Sequence, residues 1–348
     1  MKQINYTIDT IKFFCAIAVI FIHITAFIYH DGMAEVLNYY SYRYLLDIAV
    51  PFFLITSGLF IAKKSTYELI KYIKNIFKIF IIFSLFYISI DIIIIFIERI
   101  AFKSLFWSNV ITVFDRLTFS NFIKGTSGQF HLWYLMALVI AVLILFFMKK
   151  LKLTNNWILF ISIGIYIIAN TGLIDLTSIV LWGGFPKALL YVSLGYFIAD
   201  LNLSIIKWPF LKFILFASLF SIYSILSRSG LSQFLLVLTV SFLLIFAIKH
   251  PGKPNILAKW GRKYSLSIYI MHVFIYTSFY RIIGYLEITD FKDATLNVFL
   301  LGFLCIIGSI LVYIPIEKYF YKPLSRRIDT YLNPPKNAFE VMFSEKIS

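Results

Sequence analysis

Apolar residues fill this chain in long runs separated by short connections. Runs of membrane-spanning length lie at 8–29, 44–62, 76–97, 131–148, 157–174, 186–199, 209–226, 231–248, 265–285 and 296–317. A bilayer core takes roughly 20 apolar residues per helical crossing. The pattern therefore predicts an all-α polytopic membrane protein, a bundle of about ten transmembrane helices, with a membrane domain over 1–330 and a short polar tail over 331–348. The sixth run is short and begins at Pro186, so it is read as a tilted or re-entrant segment, with nine spans as the alternative.

Composition agrees. The 348 residues are 61% hydrophobic and 14% charged, where soluble domains carry about a quarter charged residues. A net charge of +15 would suggest nucleic acid in a soluble protein, but here the cations cluster between apolar runs. They read as topology, with no nucleic-acid partner. Most of the 32 lysines and arginines fall on one side of the bundle if both termini are cytoplasmic, which is the expected orientation. The first run carries Lys12 and His23 and has no clear cleavage site after it, so it is kept as a membrane helix and not as a signal peptide. Cys15 and Cys305 sit inside apolar runs without CxxC spacing and read as small buried hydrophobes. The longest outward connection, about 98–130, ends in Gly125-Thr126-Ser127-Gly128, a stretch expected to be flexible, and the connection is expected to carry some acceptor specificity.

An ionisable residue inside a membrane helix costs about 2.5–3.5 kcal/mol at its centre on insertion scales, so each asks for a reason. Lys12 and His23 are eleven residues apart, close to three whole turns, which places them on one face about 16 Å apart along the axis. Asp9, one turn before Lys12, is placed to pair with it. The plainer alternative is a snorkelling lysine and a histidine bonded to a neighbouring helix.

Asp9, Lys12 and His23 resemble the opening of the membrane acyltransferase family 3, in which an Asp stands three residues before a basic residue and an essential His follows after ten more. The family more often has Arg where this chain has Lys12, which supplies a point charge but no bidentate fork. Pro51-Phe52-Phe53-Leu54-Ile55-Thr56-Ser57-Gly58 is similar to the family's aromatic pair and Ser-Gly, although close packing alone also explains Ser57-Gly58. Lys71, Lys74 and Lys78 match a basic motif thought to meet the acyl donor, with an ordinary positive-inside cluster as the alternative, favoured for Lys71. Gly128-Gln129-Phe130-His131-Leu132-Trp133-Tyr134-Leu135 resembles the family's His-Leu-Trp-Phe-Leu segment, and Tyr269-Ile270-Met271-His272 a late Tyr-x-x-His, for which a buried structural histidine is an equally good account.

The resemblance covers about residues 5–325 and implies an enzyme. Its donor is acyl-coenzyme A, usually acetyl-coenzyme A, used as co-substrate on the cytoplasmic side, with no permanently bound cofactor and no metal. Its acceptor is a hydroxyl of an envelope glycan or lipid-linked sugar, and its location is the bacterial inner membrane, beside other polysaccharide-assembly proteins. The resemblance makes His23 the catalytic base or acyl carrier and Lys12, Lys74 and Lys78 the donor-phosphate ligands. Asp9, Ser57, His131, Trp133 and His272 support them. Longer relatives carry an esterase-like domain, so this chain is expected to act alone or hand its product on. The rivals are a glycan-precursor transporter or flippase, with His23 and Asp91 lining a polar path, and a non-catalytic export component.

Overall fold

With no water to bond in the hydrocarbon region, every backbone N–H and C=O must find its partner inside the segment, and the chain meets that demand with helices. The computed structural model describes residues 4–30, 46–102, 106–171, 184–203, 231–286 and 295–332, and no strand occurs among them. The helices are α1 (Tyr6–His30), α2 (Ala49–Ile61), α3 (Thr66–Phe102), the short α4 (Phe106–Asp115) and α5 (Phe119–Lys124), α6 (Trp133–Lys150) and α7 (Asn155–Asn170). They continue with α8 (Gly184–Ile198), α9 (Leu231–Lys249), α10 (Ile256–Tyr285), α11 (Thr295–Ile316) and α12 (Lys322–Leu332). The expected span at 209–226 and positions 333–348 of the expected tail lie outside the described residues.

Among the described residues, five helical stretches are long and apolar enough to cross a membrane: Tyr6–Thr25, Thr66–Ile100, Phe130–Lys150, Ile256–Tyr285 and Val298–Thr330. The chain is thus a helical membrane protein. The expected second span is shorter than its apolar run, and the sixth is as short as its run. α2 has 13 residues and α8 has 15, which at 1.5 Å per residue reach about 20 and 22 Å against a core of about 30 Å. Both are largely buried along their length and pack on each other. They are interior helices, apolar because protein surrounds them.

The α2–α8 contact is made by glycine. A Cβ on Gly195 would sit 1.9 Å from the Ile55 carbonyl oxygen, and one on Gly58 would sit 2.0 Å from that of Val192, so the two backbones touch. α1 packs most extensively on α10, again through a glycine: a Cβ on Gly261 would lie 1.8 Å from the Asp9 carbonyl oxygen. Helix ends are fixed by side chains. Ser65 N donates to Glu68 Oε2 (2.8 Å) while Glu68 N donates to Ser65 Oγ (3.3 Å), a capping box that starts α3 well before the expected position 76. Asn255 Oδ1 accepts from Ala258 N (2.8 Å) and starts α10.

The segment 125–128 is held in place, where flexibility was expected. Gly125 closes α5 at φ +74°, Ser127 is buried, and a Cβ on Gly128 would stand 2.3 Å from the Ser84 Cα. The glycines let this turn pack against α3 and α6, which sets the start of α6 and with it His131.

Gly195→Ala drives a methyl into the Ile55 carbonyl and is expected to lower stability by about 1–3 kcal/mol, whereas Gly164→Ala, with nothing within 4 Å, leaves it unchanged. Thermal unfolding of the two purified variants in one detergent tests this, and equal melting temperatures would remove the α2–α8 contact from the account.

Candidate functional site

The start of α1 is tied to the end of α9 and to the turn that precedes α10. Asn5 Nδ2 donates to the Ala247 carbonyl (2.6 Å), Thr7 N donates to that of Pro251 (3.1 Å), and the Thr7 hydroxyl donates to that of His250. From there α1 and α10 run side by side in the same direction, with Asp9 beside Arg262 and His23 beside His272.

The Asp9 carboxylate accepts hydrogen bonds from Arg262 Nε (2.8 Å) and from one of its terminal nitrogens. This corrects the expectation that Asp9 is held in a pair with Lys12. Gly261 brings the α10 backbone onto that of Asp9, so the adjacent guanidinium reaches the carboxylate with a planar fork that an ammonium lacks. Lys12 instead places its ammonium 4.4 Å from the centre of the Phe60 ring.

Lys12, Asp9 and Arg262 line one end of a cavity of about 240 Å³ enclosed by α1, α2, α6 and α10. The other end carries the hydroxyls of Ser57, Tyr134 and Tyr269. Ser57 Oγ donates to the Phe53 carbonyl (2.8 Å). Val19 also faces the cavity and lies one turn before His23, as Tyr269 lies one turn before His272. The cavity therefore runs from a cationic end to the edge of a histidine cluster.

That cluster joins three helices. His23 stacks on His272 with ring centres 5.1 Å apart and planes 29° apart, and His131 meets His272 edge-on at 5.3 Å. Phe130 packs against both His23 (5.2 Å) and His131 (5.9 Å). His131 and His272 are fully buried, whereas His23 is half-buried. His131 Nε2 lies 3.1 Å from the Ile270 carbonyl, which also accepts from Tyr87 Oη (2.7 Å), and the His131 carbonyl accepts from Tyr269 Oη. His272 Nδ1 lies 2.8 Å from the Tyr269 carbonyl and 3.1 Å from that of Ile268.

A carbonyl only accepts, so the facing nitrogen of each ring carries the hydrogen, and in a neutral ring the other nitrogen is an acceptor. Those acceptors, His131 Nδ1 and His272 Nε2, are buried and have no hydrogen-bonding partner among the described residues. Nor, among the described residues, do histidines, cysteines and carboxylates form a group of three arranged to hold a metal ion.

The remaining expected site residues lie elsewhere. Trp133 does not line the cavity and packs edge-on against Tyr134 at 6.5 Å. Lys74 is exposed on α3, away from the cavity lining. Lys78 is 9% exposed and bonded through Nζ to both carboxylate oxygens of Asp329 (2.8 Å each), which α12 brings back over α3 after the π-helical turn Glu317–Tyr321. Asp91 is ion-paired with Arg116 and does not face the cavity.

Arg262 was not singled out from the sequence, and Tyr134 and Tyr269 entered only within motifs and not as site residues. A signal was available for two of them: Arg262, Ser265, Tyr269 and His272 recur at intervals of three, four and three, a polar stripe on an otherwise apolar helix.

A family model described as an acyltransferase domain matches residues 5–314. No curated protein and no solved structure matches the chain.

Asp329→Asn leaves the Lys78 ammonium without its partner and is expected to cost about 1–2 kcal/mol, the open aspartate side keeping the figure low. Lys78→Met combined with Asp329→Asn should cost less than the two changes summed. Melting temperatures of the single and double variants test the coupling, and strict additivity would contradict it.

Proposed function

The chain belongs to the membrane acyltransferase family 3, and on that premise we propose that it moves an acyl group, acetyl first, from acyl-coenzyme A to a hydroxyl of an envelope sugar or polysaccharide. The observation that carries this reading is the cavity that begins at Lys12 and Arg262 and ends one turn short of His23 and His272. A donor with phosphates at one end and a thioester at the other suits that gradation. Cations meet its phosphates, and the reactive carbon is carried towards the histidines.

His23 is the half-buried member of the cluster and acts on the substrate. As the acceptor hydroxyl oxygen bonds to the thioester carbonyl carbon, His23 takes the hydroxyl proton. When the tetrahedral intermediate collapses, the carbon–sulfur bond breaks and the same proton passes to the leaving thiolate, so the products are an ester and a free thiol. His272 holds the His23 ring by stacking, and His131 and Phe130 complete its surroundings. Burying an acceptor without a donor costs about 1–3 kcal/mol. A hydroxyl brought to His131 Nδ1 or His272 Nε2 relieves that cost, and these atoms are the positioning groups for the acceptor.

The reading places both termini in the cytoplasm of a bacterial cell, where acyl-coenzyme A is made, and the acceptor on the far side of the inner membrane. The bilayer and other polysaccharide-assembly proteins are the partners. Lys12 serves the donor phosphates with Arg262. Lys74 and Lys78 are not given that role, because one stands outside the cavity lining and the other is spent on Asp329.

Membranes containing wild type or His23→Ala at equal amounts are incubated with radiolabelled acetyl-coenzyme A and extracted envelope glycan, and base-labile label in the glycan is counted. Loss of general-base catalysis is expected to lower the label by about 100-fold or more in the variant. Equal labelling by the two proteins would make His23 structural and end this mechanism.

A further inference from the structure

A second cavity, of about 550 Å³, opens where α1 and α10 begin. Lys259, Arg262 and Lys263 line it with Tyr6, Pro254 and Asn255, and its lining includes no carboxylate among the described residues. Intervals of three and four put the three cations on one face of α10. In the sequence they are accounted for by topology alone, as part of a positive-inside cluster.

Three observations set this place apart from a surface cluster. The helix starts beside the cations are fixed: Asn255 Nδ2 donates to Thr10 Oγ1 (3.3 Å) and to the Lys253 carbonyl (3.2 Å), its Oδ1 caps α10, and the hydrogen bonds of Asn5 and Thr7 fasten α1 alongside. Arg262 lines both this cavity and the one that leads to the histidines, so the two spaces meet at a single guanidinium. That guanidinium commits Nε and one terminal nitrogen to Asp9, and since the group offers five N–H donors, hydrogens remain for a ligand. Its side chain is 45% exposed while that of Asp9 is 11% exposed, which leaves the arginine as the member of the pair open to a ligand.

We propose that the cavity lined by Lys259, Arg262 and Lys263 is the vestibule that holds the phosphate groups of the coenzyme A donor, with Arg262 at the threshold from which the pantetheine arm enters the inner cavity past Lys12. The inference rests on the acyl-transfer reading and adds the residues that recognise the nucleotide end. Three cations match an anion bearing a pyrophosphate and a further phosphate monoester, and the stem of Lys259 lies thirteen residues before His272 on α10, roughly 20 Å of rise. The geometry thus separates the anionic end of the donor from its thioester by somewhat more than half the thickness of a bilayer core of about 30 Å, as a long flexible arm requires.

The test is binding of tritiated coenzyme A to the full chain in nanodiscs of phosphatidylcholine, with Lys259→Gln/Lys263→Gln and Lys259→Arg/Lys263→Arg beside wild type. The glutamine pair is expected to weaken binding at least tenfold, the arginine pair to restore it, and adenosine 3′,5′-bisphosphate to compete on wild type but little on the glutamine pair. Equal affinity in wild type and glutamine pair overturns the vestibule. So does a defect that shows only in discs containing phosphatidylglycerol, which assigns the cations to lipid headgroups. No coenzyme A binding by wild type removes both the vestibule and the donor. If coenzyme A binds through Lys259 and Lys263 but no glycan is labelled, the vestibule stands and the acceptor or the transfer step is wrong.

Discussion

Asp9 and Arg262 join α1 to α10 where a Gly261 side chain would not fit, and the rest of the site depends on that joint. A charge inside a membrane helix is tolerated when it is matched, and here the match comes from the neighbouring helix. The pair with the glycine contact sets both the separation and the register of the two helices. A slip of one residue would turn a helix face by about 100°. It would then part Val19 from Tyr269 at the cavity, and His23 from His272 beyond it. The basic cavity at the helix starts depends on the same joint, because Arg262 belongs to both spaces.

A second constraint comes from the short helices. Over their described residues α2 and α8 are shorter than a full crossing, and they pack on each other and on α6, α7 and α9. Their glycine contact lets α2 sit close enough to α1 and α6 for Ser57 to line the cavity together with Tyr134. Close backbone approach at Gly58 and Gly195 is thus the support on which the hydroxyl end of the cavity rests, and Ser57-Gly58 is both a packing element and a lining one.

Much of this was legible in the chain. Hydropathy marks helices whatever their partners, so the long spans were readable. His23 and His131 stood out because ionisable groups are rare in apolar runs. What was not readable is what depends on which helices touch. Apolarity does not tell lipid from protein, so α2 read as a span and α8 as a short, tilted or re-entrant one. Asp9 and Lys12 are one turn apart and looked like a pair, yet the partner of Asp9 comes from 253 residues away and is admitted by a glycine whose role only the contact reveals. Lys78 carried the pattern of a phosphate ligand until α12 returned with Asp329. Arg262 was hidden among other cations, where the positive-inside rule already explained it.

Two of the three histidines are fixed by how their nitrogens are bonded. His131 and His272 each spend their one hydrogen on backbone carbonyls of α10, so neither has a hydrogen left to offer a substrate. Both can only accept. A site composed of acceptors receives a donor, and a hydroxyl is the donor that an acylation consumes. On the proposed reading, His23, stacked on His272 and half-buried, is the ring that carries the proton. On the same reading, cations at one end of the passage hold an anionic donor and proton acceptors at the other receive a hydroxyl. Neither end would be in line with the other without the α1–α10 register that Asp9 and Arg262 impose.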